Sequence, residues 1–82
     1  MLSDPIMKIG DIILLIRTNT PYLISKRLDN IGQGQGGWLC IDMNSINEKG
    51  IENVSPFDYW RITDRYLDVQ MQRGEIKMKN EN

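Results

Sequence analysis

Apolar side chains recur at every second position through much of the segment 37–71, and this rhythm constrains the fold more than any other feature of the chain. In the sequence GWLCIDM, Trp38 and Cys40 fall on one side of an extended backbone, and Leu39 and Ile41 fall on the other. The rhythm returns at Trp60 and Ile62, and again at Leu67, Val69 and Met71. A period of two is typical of strands with one face on a core, so the pattern predicts a small antiparallel all-β domain of five or six strands.

Turn-forming residues divide the chain into short segments. The predicted strands are KIGDIILLIR at 8–17, YLISKRL at 22–28, GWLCIDM at 37–43, a short IENV at 51–54, FDYWRIT at 57–63 and YLDVQM at 66–71, with a turn at 44–50. Strict alternation in the second strand sets Tyr22, Ile24 and Lys26 against Leu23, Ser25 and Arg27. A helix competes only near the C-terminus, where Asp64 could cap residues 65–73. That helix would align Tyr66, Val69 and Arg73 with little else apolar, so a strand is favoured there.

The segments indicate one domain with two flexible ends. Residues 1–6 are predicted to form an N-terminal arm, residues 7–71 a β-barrel domain, and residues 72–82 either a last edge strand or a tail. The glycine-rich stretch DNIGQGQGG at 29–37 resembles a phosphate-binding loop only superficially. It runs into a strand instead of opening a helix, so we interpret it as a mobile hairpin connection.

Composition excludes several classes of function. The 82 residues are 40% hydrophobic, and ten basic residues nearly balance eleven acidic ones, which gives a net charge of -1 and no bias towards nucleic acid. The chain has no histidine, which removes the usual catalytic triads and most zinc sites, so we expect no enzyme activity, metal or cofactor. The single cysteine, Cys40, is expected in the core, and a chain without a disulfide points to a reducing compartment such as the cytoplasm. No apolar run is long enough to span a membrane.

The opening KIGDIILLIR, the glycine-rich loop before GWLCIDM, and the aromatic residue before LDV resemble the small Src-homology-3-like barrel proteins of tailed bacteriophages. The resemblance covers about residues 7–71. It implies a Src-homology-3-like barrel of five antiparallel strands whose loops bind other molecules. Some phage proteins of this size inhibit or modulate host enzymes, so the resemblance also implies a viral protein that acts on a host protein.

These observations predict a non-enzymatic protein-binding module. Alternation sends Tyr59 and Trp60 to opposite faces, so one belongs to the core and the other is exposed. Aromatic and arginine side chains dominate protein interfaces. The predicted contact residues are Trp38, Tyr59, Arg61, Arg65 and Tyr66, supported by Gln33 and Gln35 in the glycine-rich loop.

Two further expectations concern partners. A nucleic-acid-binding accessory protein is the alternative function, and it requires five basic residues to converge on one face of the barrel. These are Lys26, Arg27, Arg61, Arg65 and Arg73. Edge strands of so small a sheet are also open to pairing with a second copy, which predicts a homodimer.

Overall fold

The structure, a computed structural model, describes residues 7–79. The arm predicted for residues 1–6 and the end of the predicted tail, residues 80–82, lie outside the described residues. Within residues 7–79 the strands and helices are β1 (Ile12–Leu15), β2 (Thr20–Gly32), β3 (Gln35–Asp42), α1 (Met43–Lys49), β4 (Tyr59–Thr63), α2 (Asp64–Gln72) and β5 (Ile76–Met78), with 3₁₀ turns at Ile51–Asn53 and Pro56–Asp58.

The strands form one antiparallel sheet in the order β4-β3-β2-β1-β5. The prediction of a mainly antiparallel β domain is therefore confirmed. Strands β4 and β5 are the two edges of this sheet and do not pair with each other, so the sheet formed by residues 7–79 is open. Of the two alternatives for the C-terminal segment, the structure has the edge strand, because β5 pairs with β1.

Three predicted elements were wrong. The turn at 44–50 is helix α1, which begins after Asp42, whose carboxylate accepts the backbone N–H of Asn44 at 2.8 Å. The strand predicted at 51–54 is a 3₁₀ turn, and Ile51 in it is exposed, so it has no buried face to hold it in a sheet. The strand predicted at 66–71 lies inside helix α2. Neither helix within the described residues has the length and apolar content needed to cross a bilayer.

Helix α2 forms because its start is capped and its apolar residues share one face. The hydroxyl of Thr63 accepts the backbone N–H of Tyr66 at 3.0 Å, which is an N-cap. Leu67 is buried and Met71, one turn later, packs against the core, while Val69 between them is exposed. Residues four positions apart lie on the same face of a strand, and they also lie one turn apart on the same face of a helix. The spacing of Leu67 and Met71 therefore fits both structures.

The core lies on one face of the sheet, where α2 covers it. Its buried members come from all five strands, from α2 and from Met7, and they are Met7, Ile13, Ile24, Trp38, Cys40, Ile62, Leu67 and Ile76. Cys40 is fully buried, as predicted. The opposite face carries a row of directly paired residues across four strands, namely Ile12, Leu23, Ile41 and Tyr59.

Strands β2 and β3 form a long hairpin that absorbs the glycine-rich stretch. The prediction of a mobile connection over 29–37 was wrong in extent, because β2 continues to Gly32 and β3 starts at Gln35. Only Gln33 and Gly34 form the turn, with φ values of 56° and 76°. Two successive positive φ values are those of a type I′ turn, which matches the twist of the flanking strands.

A β-bulge at Ser25 changes the alternation in β2. Ile24 pairs with Cys40, but Lys26 pairs with Leu39 and Arg27 with Trp38, so Ser25 is the extra residue. Arg27 consequently lies on the same face as Trp38, and Lys26 lies on the opposite face. The strict alternation predicted for this strand was wrong beyond Ile24.

Candidate functional site

Phe57 is the most exposed large apolar residue in the described part of the chain, with 98% of its surface accessible. It stands in the 3₁₀ turn Pro56–Asp58, which a capping box holds in place. The Ser55 hydroxyl accepts the backbone N–H of Phe57 at 3.3 Å, and Asp58 Oδ2 accepts the backbone N–H of Ser55 at 2.9 Å. The turn thus fixes the backbone that presents this aromatic ring to solvent.

Asp58 also ties this turn to α1. Its Oδ1 accepts the Ser45 hydroxyl at 2.8 Å, and its Oδ2 accepts the Lys49 ammonium at 3.1 Å. Hydrogen bonds from the Ser55 backbone, the Ser45 hydroxyl and the Lys49 ammonium, in that order of importance, lower the pKa of Asp58 from 3.8 to about 2. The carboxylate of Asp58 is therefore ionised at neutral pH and fully occupied by partners from its own chain.

Beside Phe57 lies a depression of about 360 Å³. We call it the aromatic depression, and its lining residues are Leu15, Tyr22, Asp42, Phe57, Asp58, Tyr59 and Trp60. The rings of Tyr22 and Trp60 stand 4.8 Å apart between centroids, at an angle of 50°. Tyr22 pairs directly with Asp42 across β2 and β3, so both belong to the same face of the sheet. Burial raises the pKa of Tyr22, and the negative charge of Asp42 raises it further.

A second depression, of about 350 Å³, follows β4. We call it the β4 depression, and Trp60, Arg61, Ile62, Thr63 and Tyr66 line it. The Tyr66 ring meets the Trp60 ring edge-on, 6.0 Å away at 81°. Because Trp60 lines both depressions, they form one aromatic surface along an edge of the sheet.

Several predicted contact residues belong to this surface, and others lie away from it. Tyr59 lines the aromatic depression, and Arg61 and Tyr66 line the β4 depression. Tyr59 and Trp60 lie on opposite faces of the sheet, as predicted, because they pair with Ile41 and Cys40. Both are half-buried, however, so the expected division into one core ring and one exposed ring was wrong. Arg65 is exposed in the first turn of α2, and Gln33 and Gln35 are exposed at the tip of the β2–β3 hairpin.

Trp38 is not at the surface. Only 8% of it is accessible, because its ring belongs to the core and the guanidinium of Arg27 covers it at 4.8 Å from the ring centroid. Arg27 in turn pairs with both carboxylate oxygens of Asp64, at 2.7 and 2.8 Å. A ring held under this pair cannot serve as a contact residue, which corrects its place among the predicted residues.

The basic residues divide between the two faces of the sheet. Lys26 and Arg61 both pair with Leu39 and lie on the face opposite the core. Arg27 lies on the core face and is held by Asp64. The convergence of all five predicted basic residues on one face was therefore wrong at Arg27. Arg65 and Arg73 are exposed in and just after α2.

Cys40, the single cysteine of the chain, is buried. Burial raises the pKa of the Cys40 thiol to about 12, which keeps it protonated and unreactive at neutral pH. Among residues 7–79, no three acidic or cysteine side chains come together as a set that could hold a metal ion.

Sequence reasoning missed Phe57 and the partners of Tyr22. The signal for Phe57 was present in Ser55-Pro56-Phe57-Asp58, where Ser and Asp three positions apart around an early proline indicate a capped helical turn. The pairing of Tyr22 with Asp42 and its contact with Trp60 depend on strand register, which no local motif predicts.

The exposed Phe57 ring and the two depressions that share Trp60 together form the candidate site. Comparisons with protein-family models, with curated proteins and with solved structures gave no match.

Proposed function

We propose that the protein is a non-enzymatic protein-binding module that uses the aromatic surface around Trp60 and Phe57. The observation that carries the proposal is the 98% exposure of Phe57 on a turn held by hydrogen bonds. Exposing a phenyl ring to water is unfavourable, and a partner that covers it recovers that free energy. Fixing the backbone in advance lowers the entropy cost of binding.

The proposed biological setting is that of a phage-encoded modulator or inhibitor of a host protein, acting in the cytoplasm of the host cell. This part of the proposal depends on the resemblance to Src-homology-3-like barrels of tailed phages. The strand order is compatible with a barrel of that kind, because β5 returns to lie beside β1, although the sheet of residues 7–79 remains open. The bulge at Ser25 is also compatible with such a barrel, since bulges bend long strands at the corners of small barrels.

Photo-crosslinking tests the proposed function directly. A benzophenone amino acid at position 57 should capture one protein from cells that contain the partner, and the same group at Ile51, which is 53% exposed in the other 3₁₀ turn, should not. In pull-downs, Phe57→Ser should lose that protein while Ile51→Ser retains it. Equal recovery by both variants, or crosslinking that is equal at both positions, would contradict the proposal.

Nucleic-acid binding remains the second candidate, because strand register places Lys26 and Arg61 on one face with Leu39 between them. A gel-shift titration at increasing salt concentration separates it from protein binding. Contacts to phosphates predict that affinity falls steeply as salt increases, and Lys26→Ala should reduce that dependence. A complex whose affinity hardly changes with salt would eliminate this candidate.

The sheet edges support the proposal of a homodimer. In the described residues, β4 has no partner strand on its outer side, whereas the edge strand β5 carries Lys77 within it and is followed by Lys79, and these charges oppose pairing. The β4 edge is thus the one we propose for a symmetric dimer. Light scattering should give twice the mass of one chain for the wild type, and the mass of a single chain would contradict the proposed dimer.

A further inference from the structure

We propose that the aromatic depression receives an arginine side chain of the partner protein. The inference rests on the proposed function, because it names the chemistry that the module recognises. Two properties of the depression carry it, namely the composition of its lining and the free capacity of one carboxylate.

The residues that line the aromatic depression include four aromatic residues and two aspartates but no lysine or arginine. Aromatic ring faces attract cations, and carboxylates do so more strongly. A cavity of about 360 Å³ falls at the small end of ligand sites, which fits one side chain better than a large ligand. The matching occupant is a positively charged side chain.

The two carboxylates play different parts. Both oxygens of Asp58 accept hydrogen bonds from residues of its own chain, and Lys49 balances its charge. Asp42 uses only Oδ1, to cap α1, and no cation among residues 7–79 forms a salt bridge with it. Asp42 therefore keeps a free oxygen and an unbalanced charge next to Tyr22, its direct neighbour across the strands.

The same chain already contains a filled example of this arrangement. Arg27 lies over the Trp38 ring and pairs with Asp64 through two hydrogen bonds. The aromatic depression presents an aromatic pair and an acid without the arginine. Arginine fits better than lysine because its planar guanidinium can stack on a ring and bond a carboxylate at the same time.

The test is an NMR titration of the full chain with a capped alanine–arginine–alanine peptide. The matched probe replaces arginine by citrulline, which has nearly the same shape but no charge. We expect the arginine peptide to shift the Trp60 indole and Tyr22 ring resonances, with little change at Trp38. The citrulline peptide at the same concentration should leave them unchanged.

Two variants make the outcome specific. Asp42→Asn should weaken binding of the arginine peptide by about tenfold, the effect expected for losing a charge-assisted hydrogen bond. Asparagine also caps helices well, so this variant should keep α1 intact. Asp29→Asn removes an exposed carboxylate far along β2 and should bind like the wild type.

Equal shifts with the citrulline peptide, shifts centred elsewhere, or unchanged binding by Asp42→Asn would overturn the arginine proposal. The proposed function has a separate readout, because crosslinking through position 57 does not require arginine. Capture at position 57 without arginine binding would remove only the further inference. Binding of the arginine peptide without any capture at position 57 would contradict the proposed function. It would also contradict the inference that the module recognises its partner through arginine.

Discussion

Arg27 and Asp64 form a two-pronged ion pair that joins the middle of β2 to the first turn of α2, with N–O distances of 2.7 and 2.8 Å. The pair closes over the Trp38 ring at the edge of the core. The hydrogen bonds from Arg27 lower the pKa of Asp64. The ion pair thus holds α2 against the sheet. The alternation of apolar residues predicted the sheet but not this helix.

Removing the arginine of this pair should destabilise the protein modestly. The two side chains are 40% and 52% exposed, so solvent screening limits the ion pair to at most about 1 kcal/mol. Lost cover over Trp38 adds about 0.5–1 kcal/mol. We expect Arg27→Ala to lower the free energy of unfolding in urea by about 0.5–2 kcal/mol. Lys26→Ala, its exposed neighbour on the other face, should change it by less than about 0.5 kcal/mol. Equal effects would contradict the arrangement.

Truncating residues of α2 should distinguish its buried face from its exposed face. Leu67 is 6% exposed and Val69 is 36% exposed. Leu67→Ala should therefore cost about 2–5 kcal/mol, and Val69→Ala less than about 1 kcal/mol, both measured by denaturant unfolding followed through tryptophan fluorescence. A strand would place both residues on one face, so similar costs for the two variants would favour a strand.

Gly37 is predicted to tolerate no side chain. A Cβ there would overlap the carbonyl oxygen of Ile62 on β4 and the Ile31 side chain. Gly37→Ala should cost more than about 2 kcal/mol, since backbone must move to make room. Gly32→Ala is the matched control, because its Cβ would meet open space, and it should change stability by less than about 1 kcal/mol. Thermal unfolding of the two variants side by side decides the matter, and equal melting temperatures would contradict the close approach.

Acid should weaken the turn that carries Phe57. The pKa of Asp58 is about 2 in the folded protein and ordinarily 3.8, so the folded state binds its proton less readily than the unfolded state. Asp58 therefore adds stability above pH 3.8, and this contribution disappears as the pH falls towards 2. The difference in unfolding free energy between wild type and Asp58→Asn should shrink over this range. A difference that stays constant for Asp58→Asn would contradict the assigned bonds.

The candidate site was predicted only in part. Arg61 and Tyr66 were found because aromatic and basic residues cluster in sequence there, and the structure places both in the β4 depression. Trp38 was wrongly predicted as a contact residue. Alternation predicts the face on which its ring lies, but it does not predict that Arg27, from another strand, lies over the ring. Phe57 was missed because the segment was taken as the start of a strand, whereas the capped turn of Ser55 and Asp58 holds it outside the sheet.

The amino-acid sequence by itself determined the antiparallel sheet, because the alternating apolar residues of β3 and β4 share one face, and can be buried together, only in an extended strand. It also determined that Cys40 is buried, since both neighbours and the strand around it are apolar. Tertiary structure decided where that period ends. The bulge at Ser25 places Arg27 on the same face as Trp38. The spacing of Leu67 and Met71 fits a helix and a strand equally, and their packing against the core of the sheet favours the helix. Local patterns specify which face of a segment is apolar, but the residues against which that face packs are far away in the chain.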